Sequence, residues 1–204
     1  MFKAYLAECP LIAIIRGVTP DEAQDIGRAI VDAGIRIIEV PLNSPDPLKS
    51  IERLSARIGD RALVGAGTVL MAEEVPSVRE AGGGLIVSPN TNPDVIAATV
   101  AEGLVSCPGY FTPSEAFSAI SAGATALKLF PAEAASPAVL KAQRAVIPKD
   151  VPILVVGGVR PDTMPPWLEA GADGFGLGGG LYQPGQSATE TADKARAYVA
   201  ALRS

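Results

Sequence analysis

Several charged side chains stand in rows that are otherwise apolar. In ATALKLFP, at 124–131, the alternate residues Ala124, Ala126, Lys128 and Phe130 share one face of a strand, so an amine falls late in an apolar row. In IRIIEVP, at 35–41, Ile35, Ile37 and Glu39 share a face in the same way, and in LIAIIRG, at 11–17, Ile12, Ile14 and Arg16 do so again. A lone charge at a strand end ordinarily just reaches water. If the three faces converge, however, an amine, a carboxylate and a guanidinium meet in one apolar-walled mouth. Burial beside cations favours a neutral, nucleophilic amine and keeps a carboxylate basic enough to accept protons, which is the pairing imine chemistry needs.

A second signal is for an anion. VVGGVRPD, at 155–162, and GLGGGLYQPG, at 176–185, put glycines late in the chain after apolar runs. Glycine lets peptide N–H groups approach an anion closely, and a helix following Gly158 would add its positive end. Tight turns alone would also explain paired glycines. GAGTV, at 65–69, adds the hydroxyl and amide of Thr68 as donors for a carboxylate or carbonyl oxygen. Ser88-Pro89-Asn90 and Cys107-Pro108-Gly109 read as strand stops, and Phe111, Phe130 and Trp167 as core aromatics without a chemical role.

Composition removes several alternatives. The 204 residues contain no histidine, so no imidazole serves as base, nucleophile partner or metal ligand. The two cysteines, Cys9 and Cys107, lack metal-site spacing and read as buried thiols. A formal charge of -5 argues against nucleic acid or an anionic membrane surface as partner, while a small anion can still be held by local donors. The apolar N-terminal run is broken by Glu8, Pro10 and Arg16, unlike a membrane span or signal peptide, so a cytoplasmic protein is expected.

The elements that must position these groups follow from a repeat. A helical stretch, a glycine and a short apolar run recur in DAGIRIIEV, EAGGGLIVS, AEGLVSC, SAGATALKLF and EAGADGFGLG. Gly34, Gly82, Gly103, Gly123 and Gly171 fit helix ends in the left-handed conformation. RALVGAG at 61–67, VPILVVGG at 151–158 and LIAIIRG at 11–17 fill the gaps, so the strands number eight. Fully apolar strands alternating with helices specify a parallel sheet covered by helices, and closure gives a single α/β (β/α)8 TIM barrel over 1–204. An open doubly wound sheet is the alternative, but no early G-x-G-x-x-G appears. Thr19 before PDEA and Thr112 before PSEA read as helix N-caps, and a last helix is expected from about Ser187 to Leu202. Barrels keep their reacting groups at the carboxyl ends of the strands and bind phosphate after strands seven and eight, where the charged rows and the glycine pairs fall.

With these residues in view, the chain resembles the 2-keto-3-deoxy-6-phosphogluconate and 4-hydroxy-2-oxoglutarate aldolases along essentially its whole length. LIAIIRG, IIEVPLNSP, GAGTV, SPN, CPG, ALKLFPAE, VGGV and GLGGGLY occur in the family's order and spacing. The resemblance extends to the galactonate-type branch. Gluconate-type members carry a pattern like EVTLRT after the glutamate and PTGG at strand seven, where this chain has Pro41, Asn43 and Val156. Family members often have a serine after GLG, where this chain has Gly179.

The resemblance implies a class I aldolase that cleaves a phosphorylated 2-keto-3-deoxy acid to pyruvate and D-glyceraldehyde 3-phosphate, as a homotrimer, in galactonate catabolism. Lys128 would form the imine and Glu39 would move the protons. Arg16 and Thr68 would contact the carboxylate or carbonyl, and Gly157, Gly158, Gly178 and Gly179 would cradle the phosphate. Asn43 and Val156 would distinguish the C4 epimers, because Val156 cannot donate a hydrogen bond where a threonine would. No metal or organic cofactor is needed. The rival readings are a gluconate-type or 4-hydroxy-2-oxoglutarate aldolase, a phosphosugar isomerase or epimerase on the same barrel, and a non-catalytic phosphosugar-binding barrel.

Overall fold

The computed structural model describes residues 1–202; Arg203 and Ser204, the last two positions of the expected 1–204 domain, lie outside the described residues. Chain order begins with helix α1 (Phe2–Glu8), strand β1 (Leu11–Ile14), α2 (Pro20–Asp32), β2 (Ile37–Pro41), α3 (Pro47–Ile58) and β3 (Leu63–Gly67). It continues with α4 (Val75–Glu80), β4 (Leu85–Val87), α5 (Pro93–Ala101), β5 (Val105–Cys107), β6 (Gly109–Tyr110) and α6 (Pro113–Ser121). The last third is β7 (Leu127–Leu129), α7 (Pro137–Arg144), β8 (Ile153–Val156), α8 (Met164–Glu169), β9 (Gly174–Leu177) and α9 (Ala188–Ala201).

Among the described residues nine strands form one parallel sheet in the order β5-β4-β3-β2-β1-β9-β8-β7-β6. The expected count of eight differs because Pro108, which has no N–H, interrupts the fifth strand and leaves β5 and β6 as its two halves. The barrel closes there, with the amides of Thr125 and Lys128 donating to the carbonyls of Ser106 (2.8 Å) and Pro108 (2.9 Å).

The helix ends follow from local chemistry. Five helices (α2, α3, α5, α6 and α7) start with proline at the first helical position, where a missing N–H costs nothing. Thr19 donates from its amide (3.2 Å) and hydroxyl (2.7 Å) to Glu22, and Thr112 does the same to Glu115 (2.7 and 2.8 Å), so both expected caps form. The five helix-end glycines all take positive φ, from 69° at Gly103 to 113° at Gly34. The final helix caps on Ser187, as expected.

Alternation along the strands builds two cores. One row, including Ala13, Ile38, Val64 and Leu129, packs outward under Ile26, Ile30, Ile51 and Leu54 of the helices. The other, Ile12, Ile37, Leu63, Leu85, Ala126 and Leu154, fills the barrel. Ile35 and Ala124 belong with the outer core, so the inward rows expected from the sequence begin only at Ile37 and Ala126. The reason is that the left-handed glycines at 34 and 123 come just before, and the regular pleat starts later. Nothing in the repeat requires α1, yet its Phe2 and Leu6, one helical turn apart, reach into the barrel core and close its amino-terminal end. Among the described residues no helix is long and apolar enough to cross a membrane.

Candidate active site

At the carboxyl end of the strands lies a cavity of about 370 Å³. Its walls include Arg16 after β1, Thr68 after β3, Lys128 in β7, Val156, Gly157 and Gly158 at the end of β8, and Gly178 to Gly180 after β9. Beneath it a void of about 10 Å³, room for about one water, is lined by Ile14, Glu39, Cys107, Lys128 and Val156 among others. The inward row of β2 carries Glu39 to this depth and that of β7 carries Lys128, and the two side chains are 2% and 7% exposed. Lys128 and Glu39 therefore converge, as the alternation predicts.

Glu39 is held in an unusual state. Burial raises its pKa, opposed by the positive charges of Lys128 and Arg16. Its Oε2 is buried with no hydrogen-bond partner among the described residues. A buried carboxylate oxygen left unpaired is costly, and one that borders a void keeps its lone pairs available to accept a proton. The carboxylate packs on the bare Cα of Gly67, where an added Cβ would come 1.9 Å from Oε2. Burial also pushes the Cys107 thiol up to about 12, so it stays a neutral thiol on the floor. Phe130, read from the sequence as core, lines the cavity with its ring centroid 5.0 Å from Lys128 Nζ.

Arg16 is oriented from two sides. One guanidinium nitrogen donates to Oδ1 of Asn43, and both terminal nitrogens reach Thr68 Oγ1 at 3.4 Å. Asn43 is thus an exposed partner of Arg16 rather than a wall of the cavity. Thr68 sits at φ 57°, a region that β-branched residues seldom adopt, which turns its hydroxyl into the mouth. The β2–α3 loop is latched alongside by the Gly17 amide, which donates to Ser44 Oγ at 2.9 Å.

Beside Arg16, after the neighbouring strands β9 and β8, lies the glycine wall. Gly158, Gly178, Gly179 and Gly180 all line the cavity, and their amides donate to no protein acceptor among the described residues. Unpaired N–H groups facing one hollow are an anion cradle. Gly157 and Gly158 take φ of 120° and 61°, conformations that favour glycine. The expected helix dipole is missing. A 3-10 turn at Pro161–Thr163 and the six-residue α8, with Pro165 and Pro166 in its first turn, follow Gly158, and prolines have no N–H to offer. Val156 lines both the cavity and the void with an apolar surface. Pro89 contributes to the rim. Alternation puts Phe130 in the row of Lys128 without giving it a role, whereas Glu133, a rim carboxylate later in the ALKLFPAE run, carries no periodicity that marks it. Among the described residues no three His, Cys, Asp or Glu side chains converge as metal ligands.

Comparison with known proteins agrees with this geometry. The KDPG and KHG aldolase family model matches residues 2–196. The 2-dehydro-3-deoxy-6-phosphogalactonate aldolase of Escherichia coli (strain K12) is 48% identical over 194 residues, covering 95% of each chain. The solved structure of native KDPGal superposes with a TM-score of 0.94 at 48% identity, covering 96% of this chain and 95% of that one. A cube-shaped, highly porous protein cage designed by fusing symmetric oligomeric domains matches with a TM-score of 0.93 at 48% identity, over 95% of this chain and 72% of that one. The chain belongs to the KDPG and KHG aldolase family and is a class I aldolase, a carbon–carbon lyase.

Proposed function

We propose that the chain, acting as one aldolase domain, cleaves 2-dehydro-3-deoxy-6-phospho-D-galactonate to pyruvate and D-glyceraldehyde 3-phosphate. The observation that carries this reading is the pair Lys128 and Glu39, both buried on the walls of one void beneath a glycine-lined anion cradle. The Lys128 amine adds to the C2 ketone, and loss of water gives a protonated imine. Glu39 then takes the C4 hydroxyl proton, directly or through a water in the void. As the C3–C4 bond breaks, its electron pair moves through the new C2–C3 double bond onto the imine nitrogen, and the aldehyde departs. The resulting enamine takes a proton at C3, and hydrolysis of the imine frees pyruvate and Lys128.

Arg16, oriented by Asn43 and Thr68, offers a paired-donor face to the substrate carboxylate. The free amides of the glycine wall serve the phosphate. Two features support the galacto epimer: the hydrocarbon wall of Val156 gives no donor near C4, and the Escherichia coli relative carries that activity in its name. The assembly we propose is a homotrimer in the cytoplasm, serving galactonate catabolism. The likeness to the designed cage supports an oligomer, as do the exposed apolar Leu70, Met71, Val100 and Phe117 on neighbouring segments.

Pyruvate release from the galactonate compound and its gluconate epimer, side by side, tests the reading. Release from the former, lost by about 10⁴-fold in Lys128→Ala, is expected. Equal release from both epimers would remove the role given to Val156, and release from neither would remove the aldolase assignment of substrate. Borohydride reduction with pyruvate should add mass at Lys128. Failure of that adduct in an active preparation would end the imine mechanism. Equilibrium sedimentation checks the trimer.

A further inference from the structure

Glu133 has no part in the mechanism above, yet it lies inside the site. It belongs to the 3-10 turn Ala132–Ala134 that directly follows the strand bearing Lys128, and its side chain crosses the cavity wall to the end of β8. A Cβ added at Gly157 would come 2.0 Å from Glu133 Oε2, and one added at Gly158 would come 2.9 Å from its Cγ, so the side chain lies across both glycines. Among the described residues the carboxylate has neither a hydrogen bond nor an ion pair. A free carboxylate accepts hydrogen bonds and donates none.

Its position along the wall identifies what it meets. On the aldolase reading above, the substrate would run from C2 at Lys128, past C4 beside Val156, to the C6 phosphate on the free amides of Gly158 and Gly178 to Gly180. Gly157, under the carboxylate, stands between Val156 and Gly158 in the chain. The part of the substrate between C4 and the phosphate is C5, which carries a hydroxyl. A carboxylate this close to a phosphate opposes binding by like charge unless a donor turns toward it, and the C5 hydroxyl is such a donor.

We propose that Glu133 is a substrate-binding residue whose carboxylate accepts the hydrogen bond of the C5 hydroxyl. This hydroxyl becomes the 2-hydroxyl of the departing glyceraldehyde phosphate. The inference rests on the aldolase reading above and extends it to the aldehyde half of the substrate. An aldehyde without the hydroxyl leaves the carboxylate facing the phosphate with nothing between them, so selection works through both a gain and a penalty.

The test runs the reaction backwards, condensing pyruvate with D-glyceraldehyde 3-phosphate or with 3-oxopropyl phosphate, which lacks the hydroxyl. Wild type should favour the hydroxylated aldehyde about tenfold in kcat/KM, the size of one charge-assisted hydrogen bond. Glu133→Ala should lose that preference by slowing on the hydroxylated aldehyde and gaining slightly, up to about twofold, on the other, from which the penalty is lifted. Glu133→Gln, which keeps a carbonyl oxygen, should fall between. Borohydride trapping of pyruvate on Lys128, which needs no aldehyde, confirms that each variant is intact. An equal change on both aldehydes, a gain on both, or no preference in wild type overturns the proposal. Failure of wild type to condense either aldehyde overturns the aldolase reading itself, and the proposal with it.

Discussion

Along β2 the inward side chain changes from Ile37 to Glu39 in one step of the pleat, and along β7 from Ala126 to Lys128, a rise of roughly 7 Å. Below that level the barrel is plugged by Phe2 and Leu6 of α1 against Ile12, Ile37, Leu63 and Leu85. Above it two ionisable groups are buried, and one of them has an oxygen with no hydrogen-bond partner among the described residues. The amino-terminal floor is buried apolar packing, while the carboxyl-terminal mouth buries charge. The same closed sheet supports both ends, so the stability gathered at the floor and against the helices offsets the cost of the buried charges at the mouth.

The largest break in this contrast is at Glu39. Glu39→Gln should lower kcat by about 10²- to 10³-fold and erase the acid limb of the wild-type profile. That limb should lie above the ordinary carboxylate value of 4.5, because burial raises the Glu39 pKa. The sign for stability is opposite. A carboxyl whose folded pKa is raised favours the fold while protonated and loses that contribution as pH rises through its folded pKa, so the glutamine variant should melt higher than wild type at neutral pH.

At the floor the outcome reverses. Phe2→Ala should cost roughly 3 kcal/mol in urea unfolding and leave kcat/KM within about twofold at a temperature where the variant is folded. A comparable loss of activity would mean that the plug also sets the geometry of Lys128.

A smaller effect separates Glu39 from a second carboxylate. Glu115, exposed at the start of α6, accepts from the amides of Phe111 and Thr112 and from the Thr112 hydroxyl, and these bonds hold its carboxyl below the usual range. Thr112→Ala should cost about 1 kcal/mol. The stability Glu115 contributes is present above pH 4.5 and lost as pH falls through its lowered pKa. The melting difference between wild type and Glu115→Gln should therefore shrink in acid. The smallest effect is at the cradle: an added Cβ at Gly179 meets nothing within 4 Å, so Gly179→Ser should gain a hydroxyl donor and lower KM for the phosphorylated substrate about threefold.

How much of this was legible in the sequence depended on whether a residue left a periodic trace. Lys128, Glu39 and Arg16 stood out because strand alternation made their charges anomalous, and the glycine and threonine helix ends because few residue types fit those conformations. α1 was not legible: two apolar residues four apart, Phe2 and Leu6, are too short a pattern to announce a helix. Pro108 marks the end of a strand by its chemistry, whereas pairing resumes one residue later at Gly109. Asn43 bonds to Arg16, a contact between two loops 27 residues apart, and Glu133 packs on Gly157 from the turn after the adjacent strand. Such contacts are made by the folded geometry, and no local pattern encodes them.

The glycine wall also divides what this site can change by point substitution from what it cannot. Donors that belong to the peptide chain itself are not removed when a side chain is exchanged; among Gly158, Gly178, Gly179 and Gly180, proline alone would delete one. In the readings proposed above, epimer and aldehyde preference are by contrast read by replaceable side chains at 156 and 133. A lineage built on this barrel can therefore drift from one sugar acid to another through single exchanges at the wall, while its hold on the phosphorylated end is inherited with the path of the backbone.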